Sequence, residues 1–289
     1  MTNRQLCVVF DIDETIAQYH KKPMKGELMT LDSYRNADDG SVLYFRPGFR
    51  QFLEFAKGPK GPKDPAVPIE LKDPAVPIEL KDPTVPMEPN IALGIWTYGN
   101  APYAKYVEKA ICEKFNLDKS PFRFVYSVDE IREDLRRGYQ EKDVRRIMES
   151  FPGEFTEANT FLVDNRPANV HHRANCQNGF IVESFDLNNS KYNLNNDRMF
   201  ADLKSLCKCI IKNHHRLPIN VPLFSKNNIK LMCLGKYHRK YHVGNEIKEI
   251  MSSETVDEDE NFLRVKGGKQ RTKKGVKVKV QRKITHKKK

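Results

Sequence analysis

Two carboxylates one residue apart, Asp11 and Asp13, close an uninterrupted apolar run, Leu6-Cys7-Val8-Val9-Phe10. Held close, such groups repel each other and call for a bound cation or a shared proton. A hard, oxygen-seeking ion such as Mg²⁺ suits them best. The i, i+2 spacing points both side chains the same way if the backbone stays extended. A calcium loop fits poorly, because it would want a third oxygen ligand at the fifth position and Gly at the sixth, where the chain has Thr15 and Ile16.

The apolar run has the length and content of a central strand of a parallel sheet, buried on both faces. Open α/β sheets bind ligands at the carboxyl ends of their strands, which is where Asp11 and Asp13 fall. Two further runs end the same way: 91–96 at Thr97, and 160–163 at Asp164-Asn165. A further strand is expected at 122–126, and 180–182 follows the Asn178-Gly179 turn. Helices are expected after Pro47-Gly48 (Phe49, Phe52, Leu53 and Phe55 on one face), over 103–115, opening at Lys142, and over 199–212. Strands alternating with helices predict an α/β fold with a doubly wound parallel sheet. Four such elements, each carrying a reactive group at its proper end, describe a phosphoryl-transfer site. A carboxylate nucleophile splits monoester hydrolysis into two displacements through an aspartyl-phosphate. Mg²⁺, a lysine and a hydroxyl neutralise the nonbridging oxygens, and a second carboxylate protonates the leaving alkoxide and then activates water.

Asp11-Ile12-Asp13-Glu14-Thr15, Thr97, Lys142 and Asp164-Asn165 resemble, in order, the four motifs of haloacid-dehalogenase (HAD) superfamily phosphatases. The more specific likeness is to the NLI-interacting-factor-like or small RNA polymerase II C-terminal-domain phosphatases. It rests on D-x-D-E-T, Arg46-Pro47-Gly48, Trp96-Thr97, Gly138-Tyr139 before Lys142-Asp143, Val163-Asp164-Asn165-x-Pro167 and Asn178-Gly179-Phe180-Ile181. Members carried by large DNA viruses are similar in being short and repeat-interrupted. The resemblance spans about residues 5–212 and implies a HAD-like, Rossmann-type fold. It implies Asp11 as nucleophile and Mg²⁺ ligand, and Asp13 as acid/base with its carbonyl on the metal. Thr97 and Lys142 would bind the phosphoryl group, Asn165 would ligate Mg²⁺, and Asp164 would hold Lys142 or a metal-bound water. The interval from Lys142 to Asp164 is longer than the family's usual one, which bears on Lys142 most. The intervals 16–96 (less 57–90) and 98–141 are too short for a full cap domain, so the site is expected to be capless and open. An open site favours a phosphate displayed on a polymer; the resemblance narrows this to phosphoserine or phosphothreonine in a protein, such as the RNA polymerase II C-terminal repeat. The alternatives are a phosphatase of nucleic-acid ends and an inactive phosphopeptide-binding scaffold.

The formal charge of +12 is unevenly distributed. From Arg264 onward there are 13 Lys/Arg and no Asp/Glu, so residues 1–263 carry 37 cations against 38 anions. The expected organisation is a phosphatase domain over 1–212, a mixed extension over 213–263, and a basic, disordered tail over 264–289 that suits a nuclear address or a nucleic-acid arm. A nine-residue repeat occupies 63–89 (KDPAVPIEL twice, then KDPTVPMEP), within an insertion over 57–90; its prolines forbid helix and central strand. No stretch approaches the roughly 20 apolar residues of a membrane span, and no signal peptide is expected, which places the protein inside the cell, in nucleus or cytoplasm (of an infected host, if viral). The six cysteines read as reduced thiols, and Cys233, His238 and His242 lack a fourth zinc ligand. Trp96 reads as core, and His171-His172 and His214-His215 as solvated surface pairs.

Overall fold

The computed structural model describes residues 5–24, 31–58, 91–218, 220–232 and 234–244. The repeat, the acidic stretch 252–261, the basic tail and Cys233 lie outside them. All described residues belong to one compact unit.

Strand β1 (Leu6–Phe10) is completely buried. Its side chains alternate: Leu6, Val8 and Phe10 enter one hydrophobic cluster, Cys7 and Val9 another on the opposite face. That two-sided burial is why the run contains no polar residue. On either side lie β5 (Ile91–Trp96) and β7 (Thr160–Asp164), both parallel to β1, with Phe10 level with Ile95 and Val163. With β6 (Phe122–Tyr126), β8 (Gly179–Ile181) and β9 (His242–Val243), the sheet order is β6-β5-β1-β7-β8-β9, parallel except for β9. Strand order reverses direction at β1, the switch point where such sheets leave a crevice at their carboxyl ends. The doubly wound parallel α/β sheet is therefore observed.

One face is covered by α1 (Phe49–Ala56), α2 (Ala101–Lys114) and α6 (Met199–Asn213), packed around Phe10, Phe49, Phe52 and Phe200. Gly48 enters α1 with φ 82°, and a Cβ there would sit 3.1 Å from that of Phe200, so conformation and space both call for glycine. The other face carries α3 (Val128–Arg136), α4 (Arg145–Ser150) and α5 (Ala168–His171) over Trp96, Phe124, Ile147 and Phe155. Trp96 is fully buried.

Four expectations need correction or completion. Lys142 does not open a helix: it lies in the loop before α4 with φ 51°, and the helix begins at Arg145. The interval between Thr15 and Pro47, assigned no element from sequence, contains strands β2 (Ala17–His20) and β3 (Ser33–Arg35), which flank β4 (Val42–Phe45) in a small antiparallel sheet. His214 is buried and His171 and His172 are half-buried, so these are not freely solvated pairs. Beyond residue 213, Leu223, Phe224, Met232 and Tyr237 join the same core as α1, and α7 (Lys226–Met232) and α8 (Gly235–Lys240) lead to β9. Among the described residues no helix is long and apolar enough to cross a membrane.

Candidate active site

The three adjacent strands β5, β1 and β7 end together, and the residues that follow them meet at the switch point. Asp11 comes directly after β1, with its N–H on the Val163 carbonyl at 3.0 Å and its side chain buried. From the far side of the crevice Lys142 Nζ reaches Asp11 Oδ1 at 2.5 Å and Asp164 Oδ2 at 2.8 Å. Lys142 and Asp164 are both fully buried. Thr97, also buried, follows β5; its Oγ1 accepts the Gly99 N–H at 2.9 Å and lies 3.4 Å from Asp13 Oδ2. Asn165 follows Asp164, and its Oδ1 is 3.2 Å from the Thr15 hydroxyl, which is 3.3 Å from Asp11 Oδ2. All six residues singled out by the motifs thus converge, although Lys142 and Asn165 lie far apart in sequence from Asp11.

The chain makes this convergence through a tight loop after β1. The N–H groups of Thr15, Ile16 and Ala17 all turn back to the Ile12 carbonyl, and Glu14 takes a left-handed φ of 58°. Consequently Asp11 and Asp13 do not share an environment: Asp11 is enclosed and Asp13 is exposed at the mouth. Tyr103, on the first turn of α2, donates its hydroxyl to Asp13 Oδ1 at 2.6 Å. A Cβ on Gly99 would fall 2.2 Å from the Tyr103 ring, so only glycine leaves room for that phenol. The contact buries and stabilises the protonated phenol, raising its pKa through desolvation and the Asp13 charge.

Electrostatically the interior is short of positive charge. Burial pushes the Asp11 carboxyl up, to about 7, against the pull of Lys142 and with a further push from Asp164. Burial alone would lower Lys142, but Asp11 and Asp164 outweigh it and raise it, so the ammonium persists. One ammonium faces two buried carboxylates, with Asp13 nearby. Thr15 has a single hydroxyl proton to offer, and both Asp11 Oδ2 and Asn165 Oδ1 face it. An oxygen-lined, net-negative crevice of this kind fits a hard divalent cation. Asp164 differs from its neighbours, because three donors already occupy it: Lys142 Nζ, Asn169 Nδ2 at 2.8 Å and the Arg166 N–H at 2.7 Å. Among the described residues no group of three or more His, Cys, Asp or Glu is disposed to hold a metal, so any cation here would rely on amide and carbonyl oxygens beside Asp11.

Two further residues support the site without having been assigned a role from the sequence. Arg46 is buried against Asp197 at 2.6 Å and donates to the Thr15 carbonyl at 3.3 Å, tying the loop after β1 to the segment before α6. Tyr98 sets its ring 4.9 Å from Lys142 Nζ and 4.9 Å from the Arg166 guanidinium. Arg46-Pro47-Gly48 is visible as a string, but the partner of Arg46 lies 151 residues away, which no local pattern encodes. Beside Asp13 a cavity of about 410 Å³ opens between β2 and α2, walled by Tyr19, Asn36, Asp39, Tyr103 and Tyr106.

No family model and no curated protein matches the chain. Among solved structures it is similar to Fcp1, an essential RNA polymerase II CTD phosphatase, with TM-score 0.39 and 17% identity over 70% of this chain and 48% of that one. It is also similar to fission yeast RNA polymerase II CTD phosphatase Fcp1-R271A bound to beryllium fluoride, with TM-score 0.40 and 16% identity over 93% of this chain and 68% of that one. The chain thus spans about half the length of the first of these structures.

Proposed function

We propose that this chain is a Mg²⁺-dependent phosphatase of the HAD type that removes phosphate from phosphoserine or phosphothreonine in a protein through an aspartyl-phosphate on Asp11. The observation that carries the reading is the placement of Lys142 Nζ between Asp11 and Asp164, at the ends of two neighbouring parallel strands. Asp11, the Asp13 carbonyl and Asn165 would hold the ion, whose chemistry when bound is to neutralise phosphoryl oxygens and keep Asp11 ionised. Asp164 serves instead as the counter-charge that aims Lys142.

In the first displacement a carboxylate oxygen of Asp11 bonds to phosphorus as the serine or threonine oxygen leaves. That alkoxide takes its proton from Asp13, which stands at the mouth with room to reach it. Lys142 and the Thr97 hydroxyl hold nonbridging oxygens through both steps. In the second, water gives a proton to Asp13, bonds to phosphorus, and releases the Asp11 carboxylate and inorganic phosphate. Burial of Asp11 and Lys142 strengthens each of these contacts.

The substrate class rests on the exposed Asp13 and on the cavity beside it, which gives the flanks of a phosphorylated polymer somewhere to lie. An RNA polymerase II C-terminal repeat is a phosphoprotein of this kind. The 13 cations after residue 263 favour a second reading, a phosphatase of nucleic-acid ends. Release of p-nitrophenol from p-nitrophenyl phosphate is expected only with Mg²⁺ and is expected to vanish in Asp11→Asn. Activity surviving that substitution would end the mechanism. A phosphopeptide panel set beside 3′-phosphorylated DNA separates the two substrates.

A further inference from the structure

The geometry points to Asn175 as the positioning residue that aims Lys142, an inference that rests on the phosphoryl-binding role proposed for that lysine. Asn175 is fully buried and no motif includes it. Its Nδ2 donates to the Lys142 carbonyl at 2.8 Å, and its Oδ1 accepts the Val144 N–H at 3.0 Å. It therefore grips the main chain on both sides of Asp143. Its Nδ2 also donates to the Asn169 carbonyl at 2.7 Å. The Asn169 side chain in turn donates to Asp164 Oδ2 at 2.8 Å, on the same oxygen that receives Lys142 Nζ. The result is a closed ring running from the Asp164 carboxylate through the Lys142 side chain and backbone to Asn175, and back through Asn169.

The backbone shows what the ring is for. Lys142 is a non-glycine residue at φ 51°, a conformation that persists only where surrounding structure imposes it. The ion pairs of Nζ with Asp11 and Asp164 hold only the far end of the side chain, so the main-chain turn needs its own partners; relaxation to negative φ would swing the Cα–Cβ bond and carry Nζ away from Asp11. The neighbouring Asp143 does not substitute: its carboxylate accepts the Arg145 N–H and guanidinium and has no proton to give the Lys142 carbonyl. The Asn175 amide suits this role because it offers one acceptor and two donors, all engaged. It also sits in a turn, just before β8, that the Asn178 N–H closes on its carbonyl at 2.7 Å.

A double-mutant cycle on the full chain with Mg²⁺ and p-nitrophenyl phosphate tests the proposal, with inorganic phosphate as inhibitor and thermal melting as a check on folding. Asn175→Ala is expected to lower kcat/KM by about 10²-fold through misplacement of the lysine, and to weaken inhibition by phosphate. In a Lys142→Met background the same change is expected to have no further effect, because the group it aims is already gone. Equal losses in both backgrounds would mean that Asn175 acts on general stability and would overturn the proposal. So would wild-type kcat/KM in Asn175→Ala when Lys142→Met is slow. Asn175→Asp keeps the volume and the acceptor for Val144 but removes both donors; it runs the same cycle should the alanine variant fail to fold, and wild-type turnover in it is equally fatal. Wild-type turnover in Lys142→Met itself would strike the phosphatase reading rather than Asn175 alone.

Discussion

At the scale of single residues, the crevice works by unequal environments imposed on similar groups. Asp11 and Asp13 are two positions apart, yet one is enclosed against Lys142 and the other stands exposed against Tyr103. That difference suits a nucleophile held in place and an acid/base free to meet a leaving group. Thr97→Ser, which keeps the acceptor for the Gly99 N–H, should retain most of the activity, whereas Thr97→Val should lower kcat on small phosphate esters by about 10²-fold or more if its hydroxyl donates to a phosphoryl oxygen as proposed, and should also lower the melting temperature because the Gly99 N–H loses its acceptor. A pH effect belongs to His172, whose Nε2 lies 3.1 Å from the Glu141 carbonyl in the loop before Lys142. Burial lowers its pKa below the ordinary 6.5, against an opposing pull from Asp143. The unfolded chain therefore takes up this proton first as pH falls. The stability that neutral His172 supports is present above pH 6.5 and is lost progressively below it, toward the lower folded value. Thermal melting between pH 7.5 and 5.5 should show this loss, with a shallower slope in His172→Gln.

At the scale of elements, the strand ends are fixed by the packing of helices behind them. Phe200 on α6 sits with its ring centroid 5.8 Å from Phe10, 5.1 Å from Phe49 and 5.5 Å from Phe52, and so links α6 and α1 to the strand that carries Asp11. Phe200→Ala should cost about 3–5 kcal/mol, by lost transfer energy and the cavity left behind; denaturant unfolding measures it. Arg46 and Asp197 make the other long-range tie, each only 3% exposed. Removing one partner of a buried ion pair strands the other charge, so Asp197→Ala should destabilise by about 3–5 kcal/mol in the same assay. Because Arg46 also donates to the Thr15 carbonyl, turnover should fall further than the loss of folded protein explains.

At the scale of the whole molecule, a nearly neutral stretch, residues 1–263, is joined in sequence to a strongly cationic tail. Deleting residues 264–289 should leave turnover of p-nitrophenyl phosphate unchanged, while any binding to nucleic acid loses its steep dependence on salt. The sequence by itself determined the sheet and its reactive ends. Fully buried parallel strands are apolar almost throughout, so Leu6–Phe10, Ile91–Trp96 and 160–163 (polar only at its first residue, Thr160) announce themselves, and the first polar residue that follows each run marks the ligand side. Local patterns could not place Lys142: its left-handed loop has no periodicity, and a helical reading was the nearest local match. The sheet β2-β4-β3 and the closing strand β9 were equally faint, being short, partly polar and dependent on pairing with distant partners. Only the tertiary structure decided that one lysine should serve two carboxylates, that Arg46 should find Asp197, and that Asn175 should hold the turn. Each is a contact across 22 to 151 residues, and its strength comes from burial that exists only once the chain has closed around it.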